Sequence, residues 1–312
     1  VMGHCPRAGS PMIAAMSAAS RSNAPRAKPP AAPGLHQQLP ELREGQSVAL
    51  LQELHILTRE GKLNQDTRRK LKQVYHLVQF IEPLLDEVMR EQGEVTLADH
   101  GAGKSYLGFI LYDLVLKPRG AGRVIGVEAR SELVEKSHAL AQRLGFERMR
   151  FLAATVQQAM DDAALPERID VVTALHACDT ATDDAIDFGL ARQARHMVLV
   201  PCCQAEAAGV MRQHKALSLK RTPLAELWRH PLHTREFGSQ ITNVLRCLRL
   251  QAHGYDVTVT ELVGWEHSMK NELILARRMV DGRPGQRENA RQRLLQVLDA
   301  FGLQDLQHRF AV

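Results

Sequence analysis

Apolar residues recur every three or four positions through "SVALLQELHILTREGKLNQDTRRKLKQVYHLVQFIEPLLDEVMRE", with a break near Gly61. Such spacing lines one face of a helix, so Gln37–Arg90 is predicted helical. Beyond it the texture changes. Short β-like runs, "EVTLAD", "RVIGVE", "MRFLAA", "IDVVTALH" and "HMVLVP", alternate with helical stretches. That βαβα rhythm predicts a parallel sheet covered on both faces. Two later runs, "YDVTVTELVG" and "NELILARRM", are joined by "WEHSMK", too short for a parallel crossover, so they are expected to form an antiparallel hairpin. Arg287–Phe310 reads as a polar amphipathic helix, and no internal repeat is present.

These patterns divide the chain into a tail at 1–36, a helical region at 37–92, an α/β domain at 93–280 and a C-terminal helix at 281–312. The tail is rich in Ala, Pro, Ser and Arg without a periodic apolar face, and disorder is expected there. Its "PMIAAMSAA" is a poor signal-peptide core, and Met12 or Met16 are alternative translation starts. No run approaches the roughly 18 apolar residues that span a bilayer, so no membrane partner is expected. The five cysteines form no disulfide framework, which favours a reducing cytoplasm. A net charge of +5 and a pI near 9.0 leave room for a polyanionic partner.

The candidate chemistry starts at "VTLADHGAGKSYLGFILYDLV". Its Gly-Lys-Ser imitates the end of a phosphate-binding P-loop, but that loop needs a glycine where Ala98 stands. The nicotinamide fingerprint G-x-G-x-x-G also fails, because its third glycine is Tyr106. What remains is Asp99-His100-Gly101-Ala102-Gly103 at the end of a first strand, with Glu128 ending the next. Gly101 and Gly103 let the backbone turn tightly against a ligand. Asp99 can bear on an amino-acid group, directly or through water, and Glu128 can accept from both hydroxyls of a ribose. A ligand with a cationic amino-acid end and a ribose is S-adenosylmethionine. The bland reading is a turn residue at Asp99 and a solvated strand end at Glu128.

With these turns the chain resembles class I S-adenosylmethionine-dependent methyltransferases, and more narrowly a methyltransferase-domain family. That family combines turns like "DHGAGKSYL" after strand one, "ALHACDTATDDAI" after strand four and "VPCCQ" after strand five. The resemblance covers about Leu71 to Arg278. It implies a Rossmann-like sheet of seven strands, the last two an antiparallel hairpin, with the cofactor over the ends of strands one and two. It carries Asp99, Gly101, Gly103 and Glu128 over as cofactor contacts, and Lys104 and Ser105 match the same loop. There are departures. The turn after Cys178 reads Asp-Thr-Ala-Thr-Asp, and "LAATVQQ" after strand three lacks an acid beside the adenine, leaving Gln157 as the candidate there.

His176, Cys178 and Asp179 follow strand four, and Cys202, Cys203 and Gln204 follow strand five. Both turns should open at the cofactor's rim, since ligands bind at the carboxyl ends of strands. Methyl transfer needs acceptor and methyl held at attack distance, with a base only where the acceptor's proton is hard to lose. His176, Asp179, Cys202 and Cys203 are the candidate catalytic residues. For the cysteines three roles stand open: packing as small neutral thiols, zinc binding, and covalent attack on a base. No metal is expected, because the Cys202–Cys203 pair is adjacent rather than spaced as C-x-x-C.

The acceptor is expected along "MRQHKALSLKRTPLAELWRHPLHTREFGSQITNVLRCLRL", which carries eight Lys and Arg residues against Glu226 and Glu236, with Trp228 and histidines interleaved. "TRRKLKQVYHLVQ" adds a second basic stretch. Both favour RNA as acceptor over protein, with small-molecule methylation third. A non-catalytic binding module of the same fold is the competing class. The N-terminal helices are expected to dock on the catalytic domain and cover its acceptor or cofactor side.

Overall fold

The computed structural model describes residues 41–175, 179–201, 204–213, 223–262, 271–280 and 284–312. The chain divides into two compact units, Val1–Glu44 and Gly45–Val312. Of the first, residues 41–44 are described, as turns and bends. The second carries the fold.

Its first helices are α1, Val48–Glu53, and α2, Gln65–Gln92. Asn64 and Thr67 form a reciprocal cap at the start of α2, and Gly93 ends it in the left-handed conformation. Leu71, Val74, Leu77, Val78, Ile81, Leu85 and Val88 are buried along one face, the three- and four-residue spacing seen in the sequence.

Seven strands follow: β1 Thr96–His100, β2 Arg123–Glu128, β3 Met149–Ala153, β4 Val171–Leu175, β5 His196–Val200, β6 Tyr255–Glu261 and β7 Glu272–Arg278. They form one sheet in the order β3-β2-β1-β4-β5-β7-β6. All neighbours are parallel except β7, which runs antiparallel to both β5 and β6. Tyr255 pairs with Arg278 and Glu261 with Glu272, so the hairpin expected from its short connection is present. The connecting "WEHSMK" lies outside the described residues. The strand order reverses between β1 and β4, and their carboxyl ends open side by side at that switch point.

Helix α3 begins at Tyr106–Leu111 and continues through a π-helical stretch, Tyr112–Leu116, into Lys117–Arg119. Helix α4 is Ser131–Arg143, α5 Val156–Asp161, α6 Ala181–Ala191, α7 Glu206–Gln213, α8 Pro231–Ala252 and α9 Pro284–Ala300. Alternate strand residues split between two faces. Ala98, Ile125, Val127, Val172, Ala174, Met197 and Leu199 pack with α5, α6 and Leu250 of α8. On the opposite face Phe109 of α3 lies 5.5 Å from the Phe151 ring. A second cluster joins α7, α8 and α9 with Leu303, Leu306 and Phe310. The last helix stops at Ala300 rather than reaching Phe310, because Gly302 takes a left-handed conformation and a 3-10 turn, Gln304–Leu306, follows.

The docking of α2 departs from expectation. Its C-terminal half does not lie over the ligand rim; Glu87 pairs with Arg195 at the entrance to β5 and with Arg277 near the exit of antiparallel β7. Glu82 and Asp86 hold Arg119 at the end of α3. These are the strand ends remote from the cofactor loop. Only α1 approaches that loop, where Glu53, Leu54 and His55 line a cavity of about 260 Å³ together with Lys104, Lys136 and Arg143.

Helices α7 and α8 touch through Gly238, where an added Cβ would sit 2.8 Å from the Ala208 Cβ and backbone nitrogen. Gly238→Ala is expected to destabilise the protein by about 1–3 kcal/mol, because a backbone atom cannot yield. Urea unfolding checks it, and unchanged stability would show that the helix pair separates freely.

Candidate active site

The turn after β1 is organised from beneath by Asp99, which is 2% exposed. Its Oδ1 accepts from Thr173 Oγ1 of β4 at 2.9 Å, and its Oδ2 accepts from Ser105 Oγ at 3.0 Å and Gly108 N at 3.3 Å. One carboxylate thus ties together β1, β4 and the start of α3. Gly108 is required for this approach, since a Cβ there would meet Ser105 Oγ at 2.6 Å and Val124 Cγ1 at 3.2 Å. Ser105 takes a left-handed conformation without capping α3, its hydroxyl being turned to Asp99. Both residues were expected to contact a ligand; their side chains instead face inward and hold the turn. Burial pushes the Asp99 carboxyl up to about 6, against the hydrogen bonds from Thr173, Ser105 and Gly108.

Gly101 and Gly103 both adopt positive φ, 63° and 55°, so the backbone folds back on the sheet. Ala102 N donates to Val127 O at 3.2 Å, and Gly103 N donates to Glu128 Oε2 at 2.7 Å. Glu128 Oε1 accepts from Arg130 N at 3.1 Å and Arg130 Nε at 2.8 Å, and Oε2 accepts from Arg130 Nη2 at 3.3 Å. Burial raises the Glu128 pKa, but these hydrogen bonds and the Arg130 charge prevail, so it lies below the usual carboxylate range. A carboxylate offers about four lone-pair positions, and here four donors fill them. A ribose diol therefore reaches Glu128 by displacing the Arg130 guanidinium, whose side chain is 61% exposed. Lys104 is exposed on the loop and lines the cavity beside α1. Gln157 is exposed on α5, where its Nε2 donates to Asp161 Oδ2 at 3.0 Å.

The opposite half of the rim is held by Arg246 of α8, which is fully buried. Its Nε and Nη2 donate to the two carboxylate oxygens of Asp183 at 2.8 and 2.6 Å. Nη2 also donates to Asp179 O at 2.8 Å, and Nη1 to Asn243 Oδ1 at 3.1 Å. Asn243 Oδ1 accepts from Gln204 Nε2 at 2.8 Å, and Asn243 Nδ2 donates to Glu272 Oε2 at 2.7 Å. Asp179, with φ of 50°, accepts from Ala205 N at 3.1 Å. The turn after β4, the turn after β5 and the start of β7 are thus joined by one polar network. Within it Asp179 is a brace between turns, which is a different part from the base expected of it. His176, Cys178, Cys202 and Cys203 lie outside the described residues. Among the described residues no group of three or more His, Cys, Asp or Glu side chains is arranged to hold a metal ion.

Residues 69–210 match the family model described as a methyltransferase domain, a little under half of the chain. These residues carry a methyltransferase domain. The expected cofactor, S-adenosylmethionine, accords with it, as does the glycine turn beside an acid at the end of β2. No curated protein matches the sequence. Among solved structures, an rRNA methylase from Streptococcus thermophilus is 11% identical with a TM-score of 0.39, covering 65% of this chain and 96% of its own. The magnesium protoporphyrin IX methyltransferase of Synechocystis with bound S-adenosylhomocysteine is 14% identical with a TM-score of 0.41, over 73% and 94%. Fibrillarin of Aeropyrum pernix, with S-adenosylmethionine bound, is 14% identical with a TM-score of 0.36, over 59% and 66%. Likenesses this distant say nothing about the acceptor.

Thr173, Gly108, Arg130, Asn243 and Arg246 were missed in the sequence, since each acts through a partner distant along the chain or through the absence of a side chain. Only Arg130 carried a local signal, lying two residues beyond Glu128.

The buried Asp99 makes a pH prediction. The folded protein keeps its proton up to about pH 6, whereas the unfolded chain releases it near 3.8. Between those values the folded state binds more protons, so this group's contribution falls as pH rises and is fully lost above pH 6. The stability of wild type minus that of Asp99→Asn is expected to drop by about 3 kcal/mol from pH 4 to 7. Urea unfolding across that range checks it, and a pH-independent difference contradicts it.

Proposed function

We propose that this protein is an S-adenosylmethionine-dependent methyltransferase whose acceptor is RNA. The observation that carries the cofactor assignment is the joined geometry of the Gly101–Gly103 turn and Glu128, placed at the switch point of the sheet. Glycine backbone at positive φ leaves the turn open to a close-lying ligand. Glu128 would hold the ribose hydroxyls once Arg130 swings away. The bound cofactor supplies a methyl group on a sulfonium. This chain's part is to hold donor and acceptor in line while its rigid turns after β4 and β5 shape the acceptor's place.

The RNA reading is supported by the excess of basic residues and by Arg68, Arg69, Lys70 and Lys72, all exposed in the first turns of α2. The basic stretch before β6 supports it less than its composition promised. Arg246 and Arg249 are buried against Asp183 and Asp187, and Arg229 and Arg235 pair with Glu226 and Glu236. Trp228 packs 5.6 Å from the Phe237 ring and joins the α7–α9 cluster, away from any stacking platform. Lys215, Lys220 and Arg221 lie outside the described residues.

Calorimetric titration with S-adenosylmethionine tests the cofactor site. Glu128→Gln is expected to weaken binding at least tenfold, by replacing a double acceptor with an amide. Arg130→Ala is expected to tighten it by a few-fold, since the exposed ion pair competing with ribose is worth under about 1 kcal/mol. Wild type that binds no cofactor overturns the assignment. With radiolabelled cofactor and lysate from cells lacking the protein, RNase-sensitive label is expected; protease-sensitive label would transfer the acceptor to protein.

A further inference from the structure

Asp99 is consumed by the protein itself, which leaves the amino-acid end of the proposed cofactor without the partner the sequence offered it. The next residue supplies one. His100 is the last residue of β1, beside Val127 of β2 and immediately before the Gly101–Gly103 turn. Its side chain leaves the sheet on the face opposite Asp99, where its ring lies 5.6 Å from Phe188 of α6. It is 5% exposed, and neither ring nitrogen has a hydrogen-bond partner among the described residues.

An imidazole in such a place is expensive. Each buried polar atom without a partner costs about 1–3 kcal/mol, and a leucine would fill the space without that penalty. Native proteins keep such groups where strain, chemistry or a ligand explains them. The location narrows the choice. A ligand with its ribose at Glu128, on the end of β2, extends its other arm over the end of β1, toward the switch point with β4. Burial also pushes the ring down to about 4, against the opposing pull of Glu128, so at neutral pH it is uncharged, with one donor and one acceptor nitrogen.

We propose that His100 binds the zwitterionic amino-acid end of S-adenosylmethionine, one ring nitrogen accepting from the ammonium and the other donating to the carboxylate. This rests on the cofactor reading given above. An uncharged ring suits the task, because an imidazolium would repel both the ammonium and the neighbouring sulfonium. His100 is thus a binding residue selective for the amino-acid arm, while Glu128 serves the ribose.

The test compares two ligands that share adenine and ribose and differ in that arm. S-adenosylhomocysteine carries the amino acid, and 5′-methylthioadenosine lacks it. In calorimetric titrations, His100→Leu is expected to bind S-adenosylhomocysteine about ten- to a hundredfold more weakly, the worth of hydrogen bonds to charged groups. Its affinity for 5′-methylthioadenosine should stay within about twofold, since no contact to that ligand is lost. His100→Asn, which keeps a donor and an acceptor, should recover part of the loss. The melting temperature of His100→Leu should equal or exceed that of wild type. Equal loss toward both ligands, or none toward either, overturns the assignment to His100 and leaves the cofactor site standing. A lower melting temperature with equal losses makes the ring a packing residue. Wild type that binds neither ligand overturns the cofactor reading itself, and this inference with it.

Discussion

The buried carboxylate of Asp99 is the contact on which the ligand-facing half of this fold depends. Removing a charge from water is costly unless donors replace the water, and three do so here: Thr173, Ser105 and Gly108. Each donor belongs to a different piece of chain, so satisfying the carboxylate also sets where the pieces lie. Strand β4 is drawn against β1, α3 starts where Ser105 can reach, and Gly101–Gly103 is left as the only link between them. With the turn fixed from below, its backbone nitrogens are free to engage Glu128 above.

The other half of the rim solves the same problem with a cation. Arg246 carries five donor hydrogens, and Asp183, Asn243 and the Asp179 carbonyl answer them. Removing such a buried guanidinium would strand Asp183 without a counter-charge. The consequence for function is rigidity: the turns carrying the remaining candidate residues are anchored to one helix. Positioning of this kind is what in-line transfer needs from a protein. The same arrangement takes two arginines of the basic stretch out of the surface field, and the charge count there overstated what a polyanion would meet.

The contrast between Asp99 and His100 shows how neighbouring residues on a strand take opposite parts. Alternation sends one toward α3 and the other toward α6. The first finds every partner it needs, and its neighbour finds none among the described residues. Stability and ligand recognition are thereby separated by a single step along the chain.

The sequence by itself determined the period of its elements, and through them the order of the sheet. Period-2 and period-3.6 patterns survive in any context, and a short connection between two strands permits only a hairpin. It also placed Gly101, Gly103 and Glu128 correctly relative to one another, because two strands and a turn are a local matter. What Asp99, Ser105 and Asp179 do was decided by tertiary structure alone. A carboxylate or hydroxyl has the same chemistry on a rim or beneath it, and only the arrival of Thr173, Gly108 or Ala205 from elsewhere selects one role. Charge followed the same rule: Arg246 and Arg249 are surface residues by composition and interior ones by partner. The end of α9 at Ala300 and the docking of α2 on the far end of the sheet were likewise set by what each segment met, which no spacing of residues records.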